Sequence, residues 1–131
     1  MGIRTLAILI GVLLTSASSA QEVGDAAAGE AVFKKCITCH AVGDNARNKV
    51  GPVLNGVVGR TAGTFPEFRY SEAMVKAGEG GLTWTPENLA KYLHSPKELV
   101  PGNKMSFPGL KEQADIDNVI AYLATMPATP Q

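Results

Sequence analysis

Apolar residues recur at three- and four-residue steps in stretches separated by runs rich in glycine and proline. Over residues 25–40, Gly29, Val32, Phe33, Cys36, Ile37 and His40 fall on one stripe behind Asp25, a favourable N-cap. This predicts a first helix. An interior glycine costs a helix about 1 kcal/mol relative to alanine. Gly29 is either merely tolerated or marks the close approach of another helix; we favour the second, with Phe33 one turn later in the same contact. Ser71 caps a short helix ending near Gly78, and Gly80-Gly81 makes a turn. Thr85 caps the next helix, with Pro86 at its first position and Leu89, Tyr92 and Leu93 inward. Ser95-Pro96 stops it and opens a further single turn to Val100. Residues 113–126 carry the last long stripe, Ile116, Val119, Ile120, Leu123 and Met126, with Pro127 beyond its end.

Residues 43–69 follow no period and are punctuated by Gly43, Gly51-Pro52, Asn55-Gly56, Gly59, Gly63 and Pro66. So long an irregular stretch signals either an unrecognised element or a chain that wraps a cofactor. No repeat and no strand is legible. The fold class predicted is all-α, in one domain.

The first 20 residues stand apart. Arg4 gives a positive start, Leu6 to Leu14 an apolar run, and Ser18-Ser19-Ala20 a small-residue cleavage site. We read residues 1–20 as a secretory signal peptide cleaved after Ala20, leaving residues 21–131 as the mature domain in the periplasm. An uncleaved anchor is the alternative; the run is short for a membrane span. Cleavage removes Arg4 from the 12 Lys and Arg and none of the 12 Asp and Glu. A near-neutral domain of this kind is a poor candidate for general nucleic-acid binding.

The chemistry concentrates in Cys36-Ile37-Thr38-Cys39-His40. Two thiols at this spacing can add to the two vinyl groups of a porphyrin, and the following imidazole then lies beneath the iron. A dithiol redox pair and half of a zinc site are the competing readings. Zinc would lack ligands, because there is no second cysteine pair and His94 is distant in sequence. A dithiol motif belongs to a strand-to-helix turn in an alternating β/α pattern, which this chain does not show. Export also bears on the thiols: left unmodified they tend towards a disulfide, whereas haem attachment consumes both. A buried apolar ring would supply core that a chain so rich in loops lacks. Pro52 could offer its carbonyl to the outer N–H of His40.

In order along the chain come Gly29 and Phe33, Cys36-x-x-Cys39-His40, Gly51-Pro52-x-Leu54, Gly59-Arg60, Tyr70, Trp84, Tyr92-Leu93, Pro96, Pro101-Gly102-x-Lys104-Met105 and Ile120-Ala121-Tyr122-Leu123. From about Gly24 to Met126 this pattern resembles the class I c-type cytochromes, of the small bacterial c2 and c-550 kind. The resemblance implies a single-domain fold around one haem c, covalently bound through Cys36 and Cys39, with the first and last helices crossing. It implies His40 and Met105 as axial ligands of the haem iron and Pro52 as the carbonyl partner of His40. Arg60, Tyr70 and Trp84 match residues holding the propionates, and Tyr92 matches a hydroxyl near the methionine sulfur. Asn103 departs from the threonine usual in the family, and Met74 from a frequent asparagine. Residues 76–81 are longer than in mitochondrial members.

The function expected is a soluble, monomeric one-electron carrier and not an enzyme. A peroxidase or gas-handling protein would need a distal acid–base group, and His94 lies outside the inward stripe of its helix. Lys35, Lys49, Lys97, Lys104 and Lys111 flank the haem-binding segments and together predict a docking edge for redox complexes. A reductase is the donor expected, and an oxidase, a reaction centre or another reductase the acceptor. Glu22, Asp25, Glu30, Asp115 and Asp117 gather near the chain ends and would complete a dipole.

Overall fold

The computed structural model describes residues 1–2 and 24–128. The apolar run of the expected leader, and its cleavage point after Ala20, lie outside the described residues. Within them, no helix is long and apolar enough to cross a membrane.

Among the described residues five helices follow in order: α1 (Ala26–Phe33), α2 (Glu72–Glu79), α3 (Pro86–His94), α4 (Pro96–Leu99) and α5 (Gln113–Ala124). The start of α1 obeys its sequence. Asp25 is extended, and its carboxylate accepts the N–H groups of Ala27 and Ala28 at 2.8 and 3.2 Å. Its end does not, since the regular helix stops at Phe33 and not near His40. Beyond it the N–H groups of Lys35 and Cys36 bond to the carbonyls three residues back, Val32 and Phe33. The Cys39 and His40 N–H groups share the Cys36 carbonyl, at 3.1 and 2.9 Å. Three-residue turns eclipse positions i and i+3. The two cysteines therefore share a side without a continuing α-helix, and Ile37 is left 50% exposed.

α1 packs on α5. A Cβ on Gly29 would collide with the Asn118 carbonyl and stand 2.8 Å from Tyr122 Cβ, so only glycine permits this approach. Phe33 continues the contact, its ring 5.4 Å from that of Tyr122. The Asp25 N–H bonds to Asn118 Oδ1 at 2.8 Å. Gly29 thus meets α5 at both Asn118 and Tyr122, and Phe33 meets it at Tyr122. Val32, Phe33, Ile116, Val119, Ile120 and Leu123 are buried together in one core with Trp84, Leu89 and Tyr92.

α5 ends at Ala124, two residues short of the expected stop. Met126 accordingly leaves the helical stripe. It is half-buried, and its carbonyl accepts the Gly56 N–H at 3.0 Å. Met74 sits in α2 behind the Ser71 cap and is buried in the core. Gly78 brings this helix against the Ala62 carbonyl, so α2 is braced more firmly than its length suggests.

Side-chain amides organise the irregular stretch. Asn55 pairs with Gly43 in both directions, at 2.8 and 2.9 Å. Asn48 accepts the Val53 N–H at 2.9 Å and donates to the Pro66 carbonyl at 3.1 Å. One antiparallel bridge, Thr61 to Thr83, ties the stretch to the segment before α3. Among the described residues there is no strand, and the class is all-α.

Candidate functional site

His40 follows the tight turns after α1 and is held from two sides. Its Nδ1 lies 2.7 Å from the Pro52 carbonyl oxygen, which fixes the ring and leaves Nε2 as the nitrogen free to ligate. Gly51 lies flat against the imidazole, and a Cβ there would stand 2.7 Å from Nδ1 and 2.8 Å from Nε2. The Gly51 N–H donates to the Cys39 carbonyl at 2.8 Å, and the Leu54 N–H to that of Ala41 at 3.0 Å. Burial lowers the imidazole pKa; the Pro52 bond opposes this and the nearby Lys49 charge adds to it. A neutral ring is what ligation requires. The thiols of Cys36 and Cys39 are free and half-buried. Burial raises the Cys36 thiol, with Cys39 adding and Lys35 opposing.

Met105 lies in the loop between α4 and α5. The Tyr92 hydroxyl points at its sulfur, 4.0 Å away, and burial pushes that phenol up to about 12. Tyr92 therefore stays a neutral donor at ordinary pH. Its ring packs on Trp84 with centroids 4.8 Å apart. A cleft of about 530 Å³ opens beside Met105, between Ser95–Lys97 and Asn103–Pro108.

The other polar residues cluster away from Met105, around Arg60. Arg60 stacks on Phe65, 4.9 Å from the ring centroid, and donates to the Asn55 carbonyl at 2.9 Å. Tyr70 is coupled to Arg60, and its hydroxyl accepts the Phe65 N–H at 3.1 Å. Burial lowers the Arg60 guanidinium and raises the Tyr70 phenol, and their mutual interaction opposes both changes. Backbone bonds join Gly59 and Arg60 to Trp84 at 2.8 Å each, which brings Trp84 to the same wall.

The five lysines divide. Lys35 pairs with Asp115 on α5 at 3.6 Å, and Lys49 donates to the Ile37 carbonyl. Lys97, Lys104 and Lys111 are exposed. The expected separation of poles is thus breached at Lys35, whose partner belongs to the acidic set. His94 is exposed on α3, as its place outside the stripe predicts.

Sequence reasoning missed the amides. Asn48 and Asn55 brace the His40 side, and Asn103 bonds to Met105 and to two carbonyls around α4. Asparagine is a common turn residue, and no periodicity marks one that bridges distant segments.

These residues fit a haem c. The thiols are unpaired, the imidazole has one nitrogen committed, and a glycine lies where any side chain would foul the ring. The described residues hold no cluster of three His, Cys, Asp or Glu that could cage a metal ion, so a zinc site lacks its ligands. Residues 26–127 match the cytochrome c family model. The chain is 56% identical to a cytochrome c2 of Agrobacterium tumefaciens over 100 residues, 76% of this chain and 90% of that one. It is 50% identical to a cytochrome c2 of Rhodomicrobium vannielii over 117 residues, 89% and 91% of the two chains. The solved structure of cytochrome c2 from Rhodospirillum centenum superposes with a TM-score of 0.77 at 44% identity, covering 79% of this chain and 99% of that one.

Proposed function

The chain belongs to the cytochrome c family, and from that premise we propose that it is a periplasmic one-electron carrier with His40 and Met105 as axial ligands. It is an electron-transfer protein and not an enzyme. A bound haem c supplies a one-electron couple between ferrous and ferric iron. Cys36 and Cys39 tether it by two thioethers. His40 would hold the iron through Nε2 while Nδ1 stays on the Pro52 carbonyl, which keeps the imidazole oriented and basic. Met105 offers a soft thioether, favouring the ferrous form and raising the potential. With His40 and Met105 both given to the iron, the protein would leave no position for a substrate.

Arg60, Tyr70 and Trp84 hold the propionates, and Tyr92 steadies the Met105 sulfur. Lys35, Lys49, Lys97, Lys104 and Lys111 form the edge on which membrane or periplasmic redox complexes dock. A small interface of that kind releases quickly, as a monomeric shuttle requires. The leader expected over residues 1–20, cleaved after Ala20, supports export.

One observation carries the reading: the Cys36-x-x-Cys39-His40 turn, with its imidazole pinned at Nδ1 by Pro52 and backed by Gly51. Optical spectra of the purified protein test it. Low-spin haem with a sulfur-to-iron charge-transfer band is expected in the ferric state. High-spin haem, or no haem, would refute it.

A further inference from the structure

The loop carrying Met105 has no helix of its own, and a neutral thioether is a weak ligand. Something must hold that sulfur in place against the freedom of the loop. Pro101-Gly102 supplies part of the restraint, Gly102 taking φ +87°. More comes from Asn103, whose side chain makes three hydrogen bonds. Its Nδ2 donates to the Pro96 carbonyl at 3.0 Å and to the Val100 carbonyl at 2.8 Å. Its Oδ1 accepts the backbone N–H of Met105 at 2.8 Å. The amide orientation is fixed by chemistry. Turned over, it would set its oxygen against two carbonyls and its NH2 against an N–H.

Pro96 opens α4 and is buried, so one end of this bridge is anchored in the core. The other end is the backbone of Met105 itself. A threonine, usual here in the family, has a single hydroxyl proton and could not serve two carbonyls at once.

We infer that Asn103 is a positioning residue which clamps Met105 in its ligating place, its amide committed to the chain and not to the cofactor. This rests on Met105 being the distal ligand, as proposed above. Asn103 governs how often the loop lets the sulfur go, and hence how readily a foreign ligand enters.

The test uses the ferric holoprotein and cyanide, which binds only after the sulfur leaves. Asn103→Asp keeps the shape but removes both donors and sets a carboxylate against the Pro96 and Val100 carbonyls. It should bind cyanide at least about tenfold faster than wild type, since both bonds donated by the amide are lost. Its charge-transfer band should weaken. Asn103→Thr, a milder change, should lie between the two in both readouts. Asn118→Ala, which loosens the α1–α5 contact, should lower the melting temperature but leave the cyanide rate within about twofold of wild type. If wild type shows the band and both Asn103 variants bind cyanide at its rate, the clamp is refuted while the ligand assignment stands. A wild type without the band overturns the ligand assignment, and the clamp with it.

Discussion

Replacing Gly29 by alanine sets two effects of opposite sign against each other. On helix propensity alone the change should stabilise the protein by about 1 kcal/mol. The contact with α5 argues the reverse. The new Cβ would lie 2.8 Å from Tyr122 Cβ and closer still to the Asn118 carbonyl, a backbone atom that cannot rotate aside. To restore ordinary contact the helices must part by roughly 1 Å, and close-packed interiors transmit such shifts. Overpacking of this kind costs about 1–3 kcal/mol. Here it falls at or above the top of that range, because the clash is with backbone and the displaced face carries Val32 and Phe33. After the propensity gain, a net loss of about 2 kcal/mol remains. For a domain of about 110 residues, at about 2.1 cal/mol/K of unfolding entropy per residue, that lowers Tm by about 9 °C. Thermal unfolding of the holoprotein, followed by circular dichroism, measures it. Ala31→Gly, on the exposed side of α1, calibrates propensity in the same helix. Should Gly29→Ala raise Tm by about what Ala31→Gly lowers it, the steric reading of Gly29 is wrong.

Cys36→Ala with Cys39→Ala should abolish the haem that otherwise stays with the boiled polypeptide on a denaturing gel; a colourless wild-type band would dismiss covalent attachment altogether. Met105→Ala should lose the sulfur-to-iron band and open the ferric iron to cyanide, and Met105→His should lower the potential. Met74→Leu and Met126→Leu should leave band and potential nearly unchanged, so a band lost in Met74→Leu and kept in Met105→Ala would reverse the ligand assignment. Electron transfer to a partner complex should slow as the Debye length shrinks from about 30 Å at 0.01 M salt to about 10 Å at 0.1 M. Lys104→Glu should slow it more than Lys35→Glu, because Lys35 already faces Asp115; equal effects would mean that this ion pair opens on docking.

Wherever a local rule governs, the fold was legible. Asp25, Ser71 and Thr85 each cap the helix they were expected to cap. Ile116, Val119, Ile120 and Leu123 are buried as their spacing predicts. Gly29 and Phe33 revealed the helix contact because an interior glycine costs enough to need a reason. The end of α1 was misread, since Cys36, Ile37 and His40 extend the apolar stripe although their backbone turns more tightly. Periodicity reports which side a residue faces and says little about how many residues the turn contains. The amides of Asn48 and Asn55 were illegible for another reason: each joins segments that only the folded chain brings together; that of Asn103 bonds within its own stretch of chain, where no periodicity marks it. The Lys35–Asp115 pair was hidden likewise, its partners being 80 residues apart in number and adjacent only once α1 lies on α5.

Asn55 has a consequence of a different kind, for how the protein ages. An asparagine followed by glycine is the sequence most exposed to deamidation, in which the glycine nitrogen attacks the side-chain amide and closes a succinimide ring. Here both reacting groups are occupied. The Asn55 amide is buried and paired in both directions with Gly43, and the Gly56 N–H is spent on the Met126 carbonyl. Folding thus stores the chain's most labile peptide in its least reactive form. Isoaspartate at Asn55 should accumulate far faster in denaturant than in buffer, and equal rates would show that the pairing protects nothing. If the protein is exported as proposed, beyond reach of cytoplasmic repair, the bond that shapes a loop would also set a chemical lifetime.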